Sequence, residues 1–170
     1  ASLPDPPDSS VKKSAPGCRK TCAFVHNTDR IAPFFQLRPT GTSMSYPLSH
    51  KSHLAALKLN DEQRYRHFVE KVAAHGEIWS LANDEGWVTV SSDGDNAFPV
   101  WPHPDYAREW AQGEWADCAP KAVALDVWLD RWTAGLIADE TWLVVFPNLK
   151  EQALMVEPQD LDDALRDARM

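Results

Sequence analysis

Apolar positions along this chain follow two periods, and the change from one period to the other predicts its elements. A helix is predicted between a capping sequence that begins at Asn60 and a helix-ending glycine at Gly76. Between them the apolar residues recur at helical spacing: Tyr65, Phe68, Val69 and Val72. Three short β-like runs follow at 77–82, 87–90 and 97–101. The turn-rich connections between these runs are so short that they predict an antiparallel meander.

The second half of the chain alternates helices with short strands. Pro104 opens a helix that ends at Gly113, and Asp126 caps another that Gly135 closes. A strand at 121–125 separates them, a hairpin is predicted from 141–146 and 153–157, and Pro158 opens the last helix. The predicted order is α-βββ-α-β-α-ββ-α. Without regular βαβ alternation, this order predicts an α+β fold, with helices packed on a small antiparallel sheet made of the meander and the C-terminal hairpin.

Composition divides the chain at Met44. Residues 1–43 hold six basic and three acidic residues, a net of +3; because the whole chain carries −8, residues 44–170 carry −11. The first segment is rich in proline and shows neither period, so it buries too little apolar surface to offset its ordering entropy. We expect a disordered or non-native extension over 1–43, with Met44 as the natural start, and a single domain over 44–170.

Charge and cysteine content exclude several classes of function. The acidic domain argues against binding of nucleic acid, which depends on Lys and Arg neutralising phosphates. The longest apolar run, 142–146, is far shorter than the roughly 20 residues that span a bilayer, so no membrane association is expected. One cysteine, Cys118, falls in the domain, so disulfides do not hold it together and the cytoplasm is the expected location.

Two clusters of metal-ligand residue types fail as metal sites, and no cofactor is expected. Cys18, Cys22 and His26 are spaced by four, but no fourth ligand lies near them and Pro16-Gly17 disfavours a helix there. Asp93 to Asn96 has the acidic start of a calcium loop, but the twelfth position is Pro104, where a calcium loop needs a glutamate. A hairpin turn, in which Asp and Gly accept unusual backbone angles, is the favoured explanation of the second cluster.

All eight tryptophans lie between Trp79 and Trp142. Trp128 and Trp132 are four residues apart on one predicted helix, so both should face the core. Three others lie at element ends among carboxylates, where they could bind a ligand or a cationic partner through cation–π and charge attraction. The candidate binding residues are Trp87, Trp101, Trp115, Asp84, Glu85 and Glu114. The alternative is that these tryptophans seal the edge of the core.

His103 and Asp105 form the one candidate acid–base pair. They flank Pro104 directly after the third predicted strand, beside Trp101, and a histidine next to a carboxylate can transfer protons. The chain has no nucleophile motif such as G-x-S-x-G and no phosphate-binding glycine loop. The other interpretation is that His103 precedes a helix whose N-terminus Asp105 stabilises.

Several short motifs resemble a known bacterial family. They are Gly76 to Leu81, Asp84 to Trp87, Phe98 to Pro102, Ala107 with Trp110, and Glu114-Trp115. Over roughly residues 60–160 the chain resembles the domain-of-unknown-function family 2750 (DUF2750). The resemblance supports the domain boundary and a start at Met44, and it implies no catalytic or binding residues.

Together these patterns lead to two hypotheses for function. The first is a small acidic bacterial domain without catalysis that binds a basic protein or cationic ligand; an immunity-like or adaptor role fits by analogy alone. The second is a small-molecule hydrolase that uses His103 and Asp105 beside Trp101. An enzyme should place this pair in a concave pocket, whereas a binding module should expose an aromatic and acidic face.

Overall fold

A computed structural model describes residues 12–13, 46–83, 86–92, 95–148 and 153–170 of the chain. The helices are α1 His50–Leu57, α2 Asp61–His75, α3 Pro104–Trp110, α4 Leu125–Val127, α5 Thr133–Ala138 and α6 Pro158–Arg169. The strands are β1 Lys12–Lys13, β2 Glu77–Asn83, β3 Gly86–Trp87, β4 Val90–Ser92, β5 Asp95–Val100, β6 Ala119–Ala124, β7 Trp142–Val145 and β8 Leu154–Val156. The predicted α+β class is confirmed. No helix in the described ranges is both long enough and apolar enough to cross a membrane.

Helix α2 begins and ends where its capping residues predict. The Asn60 side chain accepts the backbone N–H of Gln63 at 2.8 Å, and the Gln63 side chain accepts the backbone N–H of Asn60 at 3.2 Å. This reciprocal pair satisfies two donors that the first helical turn would otherwise leave without partners. Gly76 then ends the helix with φ of 75°, a left-handed conformation that favours glycine.

The strands form two sheets and not a single meander. One sheet has the order β1-β8-β7-β5-β4 and the other β3-β2-β6. The chain leaves the second sheet after Trp87 and enters the first at Val90, so the predicted three-stranded meander is divided between the sheets. Strand β2 finds its long partner in β6, with six residue pairs from Glu77–Ala124 to Ala82–Ala119. A short turn shows that two strands follow closely, but it does not show that they stay in one sheet.

Strands β5 and β7 are parallel neighbours, paired from Ala97–Trp142 to Val100–Val145. The predicted C-terminal hairpin is confirmed, because β8 is antiparallel to β7. The two sheets meet where Trp79 and Trp101 exchange backbone hydrogen bonds of 2.9 and 2.8 Å. Because β5 and β7 run parallel, their carboxyl ends lie side by side. The residues that follow the two strands contact one another there.

The helix predicted from Asp126 to Gly135 is longer than expected. It begins at Leu125, passes through a π-helical turn at Trp128–Trp132 and continues through α5, so Gly135 lies inside it. Asp126 lies in the first turn, and Ala124 occupies the capping position without a side-chain bond. Tertiary contact sets the start, because the Leu125 N–H donates to the Gly76 carbonyl at 2.8 Å.

Within the first 43 residues the structure describes Lys12–Lys13, which pair antiparallel with Leu154 and Met155 of β8. The rest of the expected disordered extension lies outside the described residues, as do Cys18, Cys22, His26 and the Asp93-Gly94 part of the loop considered for calcium.

Candidate functional site

The carboxyl ends of β5 and β7 are joined by hydrogen bonds, and the buried His103 lies on the chain just beyond β5. The Phe146 N–H donates to the Val100 carbonyl at 2.8 Å, just past the last pair of the two strands. The Trp101 indole N–H donates to the Pro147 carbonyl at 3.2 Å. Loops beyond the carboxyl ends of parallel strands often form ligand sites in proteins, so this edge is the candidate functional site.

His103 is held by the backbone on both ring nitrogens. Its Nδ1 accepts the N–H of Asp105 at 3.1 Å, which makes it the N-cap of α3. Its Nε2 lies 2.9 Å from the Tyr46 carbonyl and must donate, because a carbonyl only accepts. The ring is 4% exposed, and burial lowers its pKa. The ring is therefore the neutral Nε2–H tautomer, with neither nitrogen available for proton transfer.

This arrangement answers the question raised by the sequence about His103 and Asp105. Asp105 lies in the first turn of α3, its Oδ2 is 3.7 Å from His103 Nδ1, and its Oδ1 accepts Arg108 at 2.7 Å. The helix-capping interpretation is confirmed. The hydrolase hypothesis loses its general base, because the bond to the Asp105 N–H occupies the nitrogen lone pair that would accept a proton.

Around His103 the structure assembles a group that we call the histidine–tyrosine cluster, made of Tyr46, His53, His75, His103 and Tyr106. The Tyr46 ring stacks on His75 at 4.4 Å and meets His103 edge-on at 4.8 Å. The His53 ring stacks on Tyr106 at 4.7 Å. The cluster joins α1 and the residues before it to α2 and α3.

Charged groups surround this cluster. His53 Nε2 lies 2.5 Å from Glu109 Oε2, with the two side chains 16% and 33% exposed. The Lys71 ammonium lies 5.5 Å from the centre of the Tyr46 ring.

Burial is the main cause that raises the pKa of Tyr106 to about 12. Burial also raises the pKa of Tyr46, so both phenols stay protonated at neutral pH.

Phe146 contacts Tyr106 of the cluster, and its backbone has a strained conformation. Its φ is 50°, which a bulky residue adopts only when the surroundings impose it, at a cost of about 1–3 kcal/mol. The surroundings are the hydrogen bond to Val100, contact with the Tyr106 ring at 4.6 Å and contact with the His67 ring at 6.0 Å. Such strain often marks functional edges of a fold, and here it turns the chain away from β7.

The aromatic face predicted from the sequence is not present as an exposed surface. Trp87, Trp101 and Trp115 are buried, with exposures of 8%, 0% and 1%. Trp101 and Trp115 both contact Trp110, at 5.3 and 6.0 Å between ring centres. Trp87 instead contacts Trp132 at 5.0 Å. The three indoles therefore belong to two separate interior groups, because apolar packing takes them inward.

The charges expected around those indoles also differ. Lys121 of the chain itself lies over Trp87, 5.4 Å from the ring centre, where a cationic partner had been expected. Asp84 and Glu85 lie outside the described residues, and Glu114 lies in the 3-10 turn Gly113–Trp115. Trp128 and Trp132 are core residues as predicted, with exposures of 0% and 3%.

Comparison with known protein families identifies a match over most of this domain. The profile of a family described as "Protein of unknown function (DUF2750)" matches residues 65–165. The chain belongs to the DUF2750 family. No curated protein and no solved structure matches it. The match to the DUF2750 profile begins within α2 and ends within α6, so Tyr46 and α1 lie before the matched segment.

Among the described residues, no group of three or more His, Cys, Asp or Glu side chains could hold a metal ion.

Sequence reasoning found His103 but missed its neighbours Tyr46, His53, Tyr106 and Glu109. The bonds from Tyr46 to His103 and from His53 to Glu109 join residues 57 and 56 positions apart. No spacing pattern reports such a pair.

Proposed function

We propose that this DUF2750 domain is a non-catalytic protein-interaction module whose partner is a basic, extended protein segment. The observation that carries the proposal is the pairing of Lys12–Lys13 with β8. Here a basic stretch forms the outermost strand of the sheet and pairs in register with β8, which would be the edge of the acidic domain without it. Addition of a strand to a sheet edge is a common mode of peptide recognition, with backbone bonds supplying affinity.

One other outer strand, β6, supports this choice of edge by contrast. Natural sheet edges are protected from further pairing by proline, lysine or irregular geometry. Strand β6 has both Pro120 and Lys121. Strand β8 reads Leu-Met-Val and has neither protection. An unprotected strand that pairs with a short basic stretch of its own chain is suited to accept a similar stretch from a partner.

Charge supports the choice of partner. Residues 44–170 carry −11, and a domain with that charge attracts basic segments by long-range steering. The hydrogen bonds that fix both nitrogens of His103 favour a role without catalysis. Cys118, the one cysteine of 44–170, fits a reducing compartment such as the bacterial cytoplasm.

A peptide in trans tests the proposal. The probe is a synthetic peptide with the sequence of residues 9–16, added to the full chain and to its Lys12→Pro variant. Proline has no N–H and disrupts strand pairing, so Lys12→Pro should free the β8 edge and bind the peptide at least several-fold more tightly, measured by fluorescence anisotropy. Binding should weaken as salt is raised, since salt screens charge attraction.

Two controls separate backbone pairing from charge. In the parent chain, residues 12–13 compete with the added peptide for the β8 edge. The Lys12→Gln/Lys13→Gln variant keeps both backbone N–H groups, so its own segment should exclude the peptide from β8 better than that of Lys12→Pro does. A peptide with glutamate in place of both lysines should bind more weakly at low salt. Equal binding of the two peptides, or no binding to Lys12→Pro, would contradict the proposal.

The catalytic alternative is tested by the pair His103→Asn and Asp105→Asn. Asparagine is a good N-cap, so His103→Asn keeps an acceptor for the Asp105 N–H while removing the imidazole. We expect peptide binding by both variants to stay within about twofold of the parent, because neither side chain lies on β8. An ester-hydrolysis activity that disappears in both variants would favour the enzyme instead.

A further inference from the structure

We propose that residues 46–57 form a pH-sensitive cover over the carboxyl ends of β5 and β7, held closed by neutral His103 and released when that ring is protonated. We call these residues the α1 cover; they comprise the turn that contains Tyr46 and helix α1. The inference concerns a second region of the domain, distinct from the β8 edge.

The α1 cover is fastened mainly by aromatic and polar contacts to the histidine–tyrosine cluster. The Tyr46 carbonyl accepts His103 Nε2 at 2.9 Å, and the Tyr46 ring stacks on His75. His53 stacks on Tyr106 and contacts Glu109. All four of these contacts to the body of the domain use an imidazole ring directly, and all lie within one small region.

Apolar anchoring of the cover is small. Ala56 is the buried residue of α1, while Leu54 on the same helix is 45% exposed. Leu48 and Leu57 are partly buried against the core. A single alanine and two partly buried leucines bury far less apolar area than α2, where Phe68 and Val72 are fully buried. The cluster contacts therefore have a large share in deciding whether the cover stays closed.

Protonation of His103 breaks its bond to the helix end. A proton on Nδ1 would face the Asp105 N–H, two donors directed at each other, and α3 would lose its cap. The new charge would lie on a ring that is 4% exposed. Releasing the Tyr46 segment lets water reach the ring, so the charged form favours the open state.

The charges that face His103 do not cancel this effect. Burial is the largest cause that lowers its pKa; the bond to the Tyr46 carbonyl and the Asp105 carboxylate raise it, while His53 and Arg108 lower it. From α2, Lys71 and His75 face the Tyr46 ring that covers it. The net result is a lowered pKa.

The sign of the pH dependence follows from this shift. In the open state His103 is hydrated and titrates near 6.5, and in the closed state it titrates lower. Between these two values the open state binds more protons, so opening increases as the pH falls below about 6.5 and levels off below the closed-state pKa. Within that window the open population rises up to about tenfold per pH unit.

One contact opposes release. A protonated His53 attracts Glu109 more strongly, which holds the cover in place. That pair is partly exposed, at 16% and 33%, so water screens its attraction, whereas His103 is almost fully buried. The buried group therefore dominates. Opening uncovers Tyr106 beside Asp105 and Glu109, and the three side chains form an aromatic and acidic surface.

Hydrogen exchange of the full chain tests the cover. Amide exchange over α1 is measured at about pH 7.5 and about pH 5.5, corrected for the intrinsic rate, with α6 as internal reference. We expect α1 to exchange at least several-fold faster at the lower pH while α6 does not change. His103→Asn, which keeps the cap acceptor and cannot be protonated, should lose this pH dependence.

Two further variants make the test specific. His50→Gln alters an exposed histidine of α1 and should keep the parent pH dependence. His53→Gln removes the opposing pair and should enlarge the opening at low pH. The proposal is overturned if α1 exchange does not respond to pH, if α1 and α6 accelerate together, or if His103→Asn responds as the parent does.

Discussion

Replacing Trp128 with alanine is expected to lower the free energy of unfolding by about 3–5 kcal/mol, the range for emptying a large aromatic site in a core. Trp128 is fully buried. Its ring stacks on Trp132 at 5.4 Å with an angle of 9° between the planes, and lies 6.2 Å from Phe98.

The matched control for this substitution is Val127→Ala, one position earlier on the same helix. Val127 is 43% exposed, so its truncation should change the unfolding free energy by less than about 0.5 kcal/mol. Urea unfolding followed by circular dichroism measures both variants and avoids the loss of a tryptophan signal. Equal stability of the two variants would mean that Trp128 is not a core residue.

The second large effect is expected for Asp162→Ala, at about 1.5–3 kcal/mol, the range for hydrogen bonds to a charged group. Asp162 is 3% exposed although it is charged. Its Oδ1 accepts the Thr133 hydroxyl at 2.9 Å, and its Oδ2 accepts Arg166 Nε at 2.5 Å. Arg166 in turn donates to the Leu129 carbonyl at 3.0 Å. This carboxylate ties α6 to the helix that carries Trp128.

Asp163→Ala is the control, since the same side chain at the next position is exposed and accepts only Gln159 in the described contacts, at 3.0 Å. We expect its unfolding free energy to stay within about 0.5 kcal/mol of the parent. Thermal and urea unfolding at neutral pH compare the two variants. If Asp163→Ala were the more damaging, the network around Thr133 would not be what holds α6.

The two regions of interest in this domain differ in how far the sequence revealed them. The edge of β8 could be predicted as a strand, because Leu154 to Val156 lie in a β-like run after a turn. That Lys12–Lys13 pair with it could not, since 141 positions separate Lys13 from its partner Leu154 in the chain. The histidine–tyrosine cluster was visible only through His103, which the sequence placed either directly before a helix or in an acid–base pair with Asp105.

Where the prediction of an exposed aromatic face was wrong, the reason is packing. Trp87, Trp101 and Trp115 do lie at element ends, as the sequence indicated. Position at an element end does not fix exposure, because Trp101 and Trp115 pack on Trp110 and Trp87 packs on Trp132. The meander prediction failed for a related reason, since turn length does not state which sheet a strand joins.

The sequence by itself determined the features that depend on a few neighbouring residues. These are the capping box of α2, the glycine that ends it, the helix that Pro104 opens, the β7–β8 hairpin and the inward face of Trp128 and Trp132. Only the tertiary structure decided the two sheets, the parallel pairing of β5 with β7, the burial of three tryptophans and the meeting of Tyr46 and His53 with α3. The first set rests on local backbone geometry and periodicity, whereas the second depends on which distant surfaces bury the most apolar area together.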